Sequence, residues 1–307
     1  MSGRLDSGSL IGRRDVMVRT GALGAALLTR SAWAAPAAPL LARAIPRTGE
    51  RLPAVGLGTA EVFDNDDAPT RDAAAAVVRA LVEAGGRLID TASSYGDAER
   101  VLGGVLAAGH WRDRIFIATK LETSEQSELD RSLARLGTAK VDLLQRHNVR
   151  DPQQSLAAFK AWQARGVCRY VGITSTSHRA FDAIEAVLRR ERPDFVQIDY
   201  SIDDREAEKR ILPAAAEAGA GVLTALPFGR GRLFRAVRGR ALPDWAKDVA
   251  ESWAQFFLKY LLGDERVTAV IPGTRDPAHM VDNLGALRGR LPDAALRRRM
   301  ASFIDAM

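Results

Sequence analysis

Cysteine is almost missing from this chain: of 307 residues only Cys168 is one. A single cysteine can form no internal disulfide and no multi-cysteine metal site. Flanked by Val167 and Arg169 and followed by Tyr170-Val171, it reads as a packed, unreactive strand residue. Long apolar runs are also absent. The most apolar early stretch, 21–28, is far below the ~20 residues that span a bilayer, so no stable membrane anchor is expected. No repeat and no low-complexity tract occurs. The Gly-rich phosphate turn of an open dinucleotide-binding sheet is missing too. Gly56-Leu57-Gly58 is too short a fragment for it, and Gly229-Arg230-Gly231 does not follow a first strand. No His/Asp/Glu spacing reads as a metal site, so no metal is expected.

Excess charge is scarcer than it first looks. The net charge of +6 includes five arginines and two aspartates within residues 1–34, which leaves +3 for the rest. Arg297, Arg298 and Arg299 form the one basic run, and it reads as a solvated helix face. A nucleic-acid partner is therefore not expected.

What is present begins with an address. Residues 1–20 are polar and hold Arg13-Arg14-Asp15-Val16-Met17. The apolar stretch follows, and then Ala32-Trp33-Ala34, a small-residue cleavage signal. The order resembles a twin-arginine (Tat) signal, with Val16-Met17 where Phe-Leu is usual. It implies a precursor engaging the Tat export machinery and a periplasmic mature protein. That route carries folded cargo, so a cofactor could be loaded before export. Residues 35–43, with Pro36 and Pro39, read as an extended spacer before a domain over 44–307.

Beyond residue 44 short β-rich runs alternate with amphipathic helical stretches. Strands are predicted at 54–57, 88–90, 115–119, 141–145, 170–173, 195–198, 221–224 and 268–271. Helices are predicted at 71–83, 97–107, 124–136, 156–165, 179–190, 206–218, 244–262 and 277–287. Each parallel strand needs a crossover, so eight such units in one chain of this size indicate an α/β (β/α)8 TIM barrel. Polar residues then gather at the strand ends: Asp90 at the second, Lys120 at the third, His147 at the fourth, Thr174 and Ser175 at the fifth and Gln197 at the sixth, with Tyr95 in the loop after the second. In a barrel these ends share one mouth, where barrel enzymes place their sites.

The run Gly86-Arg87-Leu88-Ile89-Asp90-Thr91-Ala92-Ser93-Ser94-Tyr95-Gly96, followed by Glu99 and Leu102-Gly103, resembles the signature of the aldo-keto reductases. Gly166 to Ile173 is similar to the family's second motif, and Ile271-Pro272-Gly273-Thr274 through Asn283 to its cofactor-phosphate segment. The resemblance runs from Ile45 to the end. It implies an NADPH-dependent reductase of a small-molecule carbonyl substrate, an aldehyde or ketone, using NADP(H) with NAD(H) as a second possibility. It implies a tetrad of Asp90, Tyr95, Lys120 and His147: Tyr95 as proton donor, Lys120 lowering the phenol's pKa, Asp90 holding Lys120, and His147 orienting the carbonyl oxygen. Thr174, Ser175 and Gln197 would hold the nicotinamide carboxamide. Leu226 stands where the family commonly has an aromatic, with Phe228 able to compensate. Thr274 and Arg275 would meet the 2′-phosphate in place of the family's basic set, and Asp282 and Asn283 the adenine. Phe63, Asn148 and Phe228 would line the mouth. His178 and His279 read as surface or helix-start residues, and Trp245 and Trp253 as packing residues. The alternative is a nicotinamide-binding regulatory or sensor protein on the same fold with negligible turnover.

Overall fold

The computed structural model describes residues 40–307. The arginine pair, the cleavage signal and residues 35–39 of the spacer lie outside the described residues. The described residues open with a hairpin, β1 (Ala42–Ala44) and β2 (Arg51–Pro53). Then come β3 (Leu57–Gly58), α1 (Ala68–Glu83), β4 (Leu88–Asp90), α2 (Ala98–Gly109), β5 (Phe116–Leu121), α3 (Gln126–Leu136), β6 (Val141–Arg146) and α4 (Ala157–Ala164). The second half holds β7 (Cys168–Ser175), α5 (Phe181–Glu191), β8 (Phe195–Asp199), α6 (Glu206–Lys209), α7 (Ile211–Ala218), β9 (Gly221–Ala225), α8 (Arg232–Ala236), α9 (Trp253–Leu262), β10 (Ala269–Val270), α10 (Pro277–Gly285) and α11 (Ala294–Asp305).

Strands β3 to β10 lie side by side in chain order, all parallel. The two outer strands meet: Val55 pairs with Val270 and Gly58 with Gly273, and Gly56 N–H donates to the Val270 carbonyl at 2.9 Å. The sheet is thereby a (β/α)8 barrel with its helices outside. Closure is tight enough to require glycine. A Cβ at Gly56 would meet Leu88 side-chain atoms at 2.7 Å, and one at Gly58 the Ile271 carbonyl oxygen at 3.1 Å.

Apolar residues divide into two cores. Leu88, Phe116, Leu143, Tyr170, Phe195 and Leu223 fill the barrel, closed at its base by Ile45 and Leu52 of the hairpin. Below them the Tyr170 hydroxyl donates to Glu50 Oε2 at 2.8 Å, and Arg169 pairs with the same carboxylate. The other core lies between strands and helices. Helix starts are set by side chains: Asp67 accepts from Thr70 N–H, Ser252 from Gln255 N–H and Asp293 from Leu296 N–H. Gly137 and Gly219 close α3 and α7 in the left-handed conformation.

The departures from the sequence reading have local causes. Ala42 and Arg43, expected in the spacer, belong to the hairpin, and Arg43 is held by the Leu262 and Asp264 carbonyls. The helix expected over 206–218 breaks at Arg210 (φ −127°, ψ −59°), because Pro213 has no N–H for the Lys209 carbonyl and its ring crowds it. The helix expected over 244–262 is helical only from Trp253, where Ser252 captures the first turn; before it lies a single turn of 3₁₀ helix at Asp244–Ala246. The basic run is not uniformly solvated. Arg297 donates to Glu208, to the Tyr200 hydroxyl and to the Tyr260 carbonyl, and Arg299 stacks over Trp245. Cys168 is buried and its thiol is pushed up to about 12 by burial, so it stays unreactive. Trp245 and Trp253 both pack on Phe256 and Phe303.

Candidate active site

Parallel strands in a barrel present their carboxyl ends to one face, so residues far apart in sequence meet there. Asp90 ends β4, Lys120 lies near the end of β5, and His147 follows β6; all three are buried. Lys120 Nζ donates to Asp90 Oδ2 at 2.6 Å and to the Thr91 carbonyl at 2.8 Å, and lies 4.7 Å from the centre of the Tyr95 ring. Burial alone would pull the ammonium's pKa down. Asp90 and then Tyr95 outweigh it, and Lys120 ends above its ordinary value and charged. Tyr95 differs from expectation. Burial raises its phenol, and the adjacent Lys120 only partly offsets this, so the hydroxyl keeps its proton through neutral pH.

His147 stands edge-on to Tyr95, ring centres 5.8 Å apart. Its Nδ1 is 2.5 Å from Glu122 Oε1, an oxygen that also accepts from Ser94 Oγ at 2.9 Å. Burial, then Lys120, hold the imidazole below its ordinary pKa against the opposing pull of Glu122. These groups share one cavity of about 720 Å³, lined also by Asn148, Thr174, Gln197, Leu226, Phe228 and Arg230.

The tetrad proposed from sequence is therefore brought together, and the residues assigned to the cofactor divide. Thr174, Gln197, Leu226 and Phe228 line the cavity. Gln197 is engaged on both sides: its Nε2 donates to Asp90 Oδ2 at 3.3 Å and its Oε1 accepts from Gln145 Nε2 at 2.9 Å. Leu226 is in the left-handed region (φ +53°), and Phe228 leans on Phe234 and Phe257. Ser175 and Thr274 are buried beside the cavity, their hydroxyls accepting the N–H of Ser177 and of Asp276. Arg275 does not point into it. Two backbone carbonyls and a carboxylate claim its guanidinium: Val62 O at 2.7 Å, Glu61 O at 3.3 Å and Asp64 Oδ1 at 2.9 Å. Asp282 accepts from Ser252 Oγ and Gln255 Nε2, each at 2.7 Å, bracing the start of α9, and Asn283 is buried in α10. Asn148 lines the mouth, whereas Phe63 is wholly buried in the outer core.

Sequence reasoning passed over Glu122 and Gln145. A signal existed: in a strand, alternate residues share a face. Glu122 stands two residues past Lys120 and Gln145 two before His147. His178, Asp199 and Asp204 also come together at the rim, with ligand-capable atoms within 4.8 Å of one another. His178 comes from the connection between β7 and α5, and Asp199 and Asp204 from the end of β8 and the loop after it, so no spacing within one segment detects the set. His178 Nε2 lies 3.1 Å from Asp204 Oδ1 and 3.6 Å from Asp199 Oδ2. His178 opens a 3₁₀ turn and His279 is exposed, as expected.

A sequence model described as "Aldo/keto reductase family" matches residues 54–301. Among curated proteins, the chain is 28% identical over 260 residues to the methylglyoxal reductase YeaE of Escherichia coli (strain K12), covering 80% of this chain and 89% of that one. It is 27% identical over 270 residues to the aldo-keto reductase str7 of Strobilurus tenacellus, covering 72% and 79%. Among solved structures, an aldo-keto reductase from Klebsiella pneumoniae in complex with NADPH superposes with a TM-score of 0.73 at 24% identity, over 86% of this chain and 96% of that one. The thermostable aldo-keto reductase Tm1743 in complex with epalrestat gives 0.71 at 26%, over 86% and 99%.

Proposed function

Because the chain belongs to the aldo/keto reductase family, we propose that it is an NADP(H)-dependent oxidoreductase that reduces aldehydes or ketones to alcohols, with Tyr95 as the proton donor. The observation that carries the reading is the buried Asp90–Lys120 pair set against the Tyr95 ring at the cavity floor. Solved relatives described as complexes with NADPH and NADP support the cofactor.

The residues present suit a dinucleotide. Gly229, Arg230 and Gly231 are successive left-handed residues at the cavity wall (φ +54°, +51° and +77°). The Gly229 and Gly231 N–H groups are spent on the Leu226 and Phe228 carbonyls, at 2.8 and 3.0 Å, so the cation available to a phosphate there is the exposed Arg230, which reaches Glu61 at 3.2 Å. Thr174 and Gln197 supply the polar floor. When bound, the nicotinamide supplies the hydride that reduces the carbonyl carbon. The protein's part is the proton and the field. Tyr95, protonated at working pH, gives its hydroxyl proton to the carbonyl oxygen as the carbon is reduced, and recovers it from solvent. Lys120 stabilises the phenolate formed in that step. Asp90 holds the ammonium in place and charged in a site with little water.

Tyr95→Phe tests the assignment. Loss of a general acid costs about 10²–10⁴-fold in rate. Reduction followed by NADPH absorbance should fall by that factor while cofactor affinity stays near wild type. Retention of more than about a third of the rate would remove Tyr95 from the role. A wild-type protein that binds NADPH yet turns over no aldehyde or ketone across a broad panel would instead be the sensor.

We further infer export through the twin-arginine route to the periplasm, on the strength of Arg13-Arg14 and Ala32-Trp33-Ala34. Changing Arg13 and Arg14 both to Lys should leave folded precursor in the cytoplasm. Unchanged appearance of a periplasmic form cut near Ala34 would refute it.

A further inference from the structure

We propose that Glu122 fixes the tautomer of His147, so that this ring meets the substrate oxygen as a hydrogen-bond acceptor when neutral and as a donor only when protonated. The argument starts from what a carboxylate can do. It accepts hydrogen bonds and donates none. With Glu122 Oε1 at 2.5 Å, Nδ1 of His147 must carry the hydrogen. Ser94 does not compete. Its hydroxyl proton goes to the same Glu122 oxygen at 2.9 Å, and its own oxygen lies 3.4 Å from Nδ1. Asn148 Nδ2, at 3.4 and 3.5 Å from the two carboxylate oxygens, adds a weaker tether. A neutral imidazole has one hydrogen. Placed on Nδ1, it leaves Nε2 a bare lone pair. Nε2 has no protein partner among the described residues, and the ring lines the substrate cavity.

Every charged group packed against the ring bears on when it protonates. Lys120, from β5, and burial oppose the imidazolium, while Glu122, past the end of β5, and Asp90, from β4, favour it. Arg146, on the ring's own strand, is held against the Leu121 and His147 carbonyls. Tyr95 is neutral. The balance lies on the side of the neutral ring, so at neutral pH His147 presents an acceptor where a carbonyl oxygen needs a donor. Tyr95 is then the sole donor to that oxygen. On acidification the Nε2 proton returns and His147 becomes the second one. Glu122 is thus a positioning residue acting through His147. The group whose protonation limits reduction on the alkaline side becomes a histidine in addition to the tyrosine.

The kinetic arm rests on the carbonyl-reductase reading; the tautomer is a property of the free protein and is measured without turnover. The full chain carries four histidines, so with ¹⁵N-labelled histidine the ring signals are few and His147 is assigned by their loss in His147→Asn. Above its titration, wild-type His147 should show Nδ1 protonated and Nε2 bare. In Glu122→Gln the amide can donate to Nδ1, and the neutral ring should move to the Nε2–H form. In parallel, wild-type kcat/KM for reduction should fall roughly ten- to hundredfold, the worth of one hydrogen bond to developing charge, as pH rises through the His147 midpoint. Glu122→Gln should lose that step. A wild-type neutral ring with its hydrogen on Nε2 overturns the proposal, as does an Nδ1–H ring that Glu122→Gln leaves unchanged. So does an activity loss in Glu122→Gln that is the same at every pH, which is what a merely structural role would produce. If the wild-type protein reduces no carbonyl, the functional reading fails and the nitrogen shifts still decide the tautomer.

Discussion

A lysine ammonium with almost no exposure is tolerable only because its partners are supplied. Lys120 has Asp90 at 2.6 Å and the Thr91 carbonyl at 2.8 Å, and Asp90 Oδ1 remains without a protein partner. Removing one member leaves the other buried and uncompensated, which costs about 3–5 kcal/mol, whereas replacing both by apolar residues is often close to neutral. Lys120→Met should therefore lower the unfolding free energy read from urea titration by that amount, and adding Asp90→Leu should restore most of it. If the single and double variants were equally unstable, the pair would not be the source of the cost. Arg275 makes a contrasting case. Its hydrogen bonds are spent on the 61–64 loop at the rim of the cavity. Arg275→Ala is therefore expected to weaken NADPH and NADH alike, by roughly two- to tenfold, about one net hydrogen bond. Titrations showing a loss confined to NADPH would return Arg275 to reading the 2′-phosphate.

Two carboxylates bind neighbouring elements into the frame that holds the site. Glu99, on α2 and wholly buried, accepts from Arg135 and Ser132 of α3 and from Thr119 of β5, the residue before Lys120. Glu99→Ala should cost about 3 kcal/mol, at the low end for a buried pair because Arg135 keeps some access to water; denaturant unfolding reads it directly. Glu128 ties α3 to the loop before it, accepting from Ser93 Oγ, the N–H groups of Glu122 and Thr123, and the Thr123 hydroxyl. Burial would raise its pKa, but these hydrogen bonds win and hold it below the ordinary 4.5. A depressed carboxylate stabilises the fold above its unfolded pKa, and that contribution is lost as pH falls through its folded value. The amides of Glu122 and Thr123 should thus lose hydrogen-exchange protection as pH drops below about 4.5, and Glu128→Gln should remove the pH dependence. The eight strand–helix units were legible because buried parallel strands and amphipathic helices have different periods. The breaks at Arg210 and before Ser252 were not, since one residue's missing N–H or one side-chain cap decides them against the prevailing periodicity. Asp90, Tyr95, Lys120 and His147 could be read from motifs and strand ends. The engagement of Arg275 and the triple of His178, Asp199 and Asp204 could not, because only the fold brings loops from different units into contact.

Across the described chain as a whole, order depends on a contact between its two ends. The barrel closes where residues 54–58 meet residues 270–273, and the hairpin that seals its base comes from the start of the described chain while Leu41 N–H donates to the Leu287 carbonyl near its end. Contacts so distant in sequence form late, after the long loops between them have been closed. Ribosome-bound chains stopped before residue 270 should consequently remain sensitive to dilute protease, and those extended past residue 305 with their exit-tunnel portion clear should resist it. A stepwise gain of resistance with each added unit would argue against this. Closure of this kind also sets a clock on manufacture. Whatever is written at the amino terminus has been in solution for nearly the whole of translation before the last strand exists to be zipped in. If Arg13-Arg14 is the export address proposed above, a transporter of folded cargo can act on it only once the ribosome has finished.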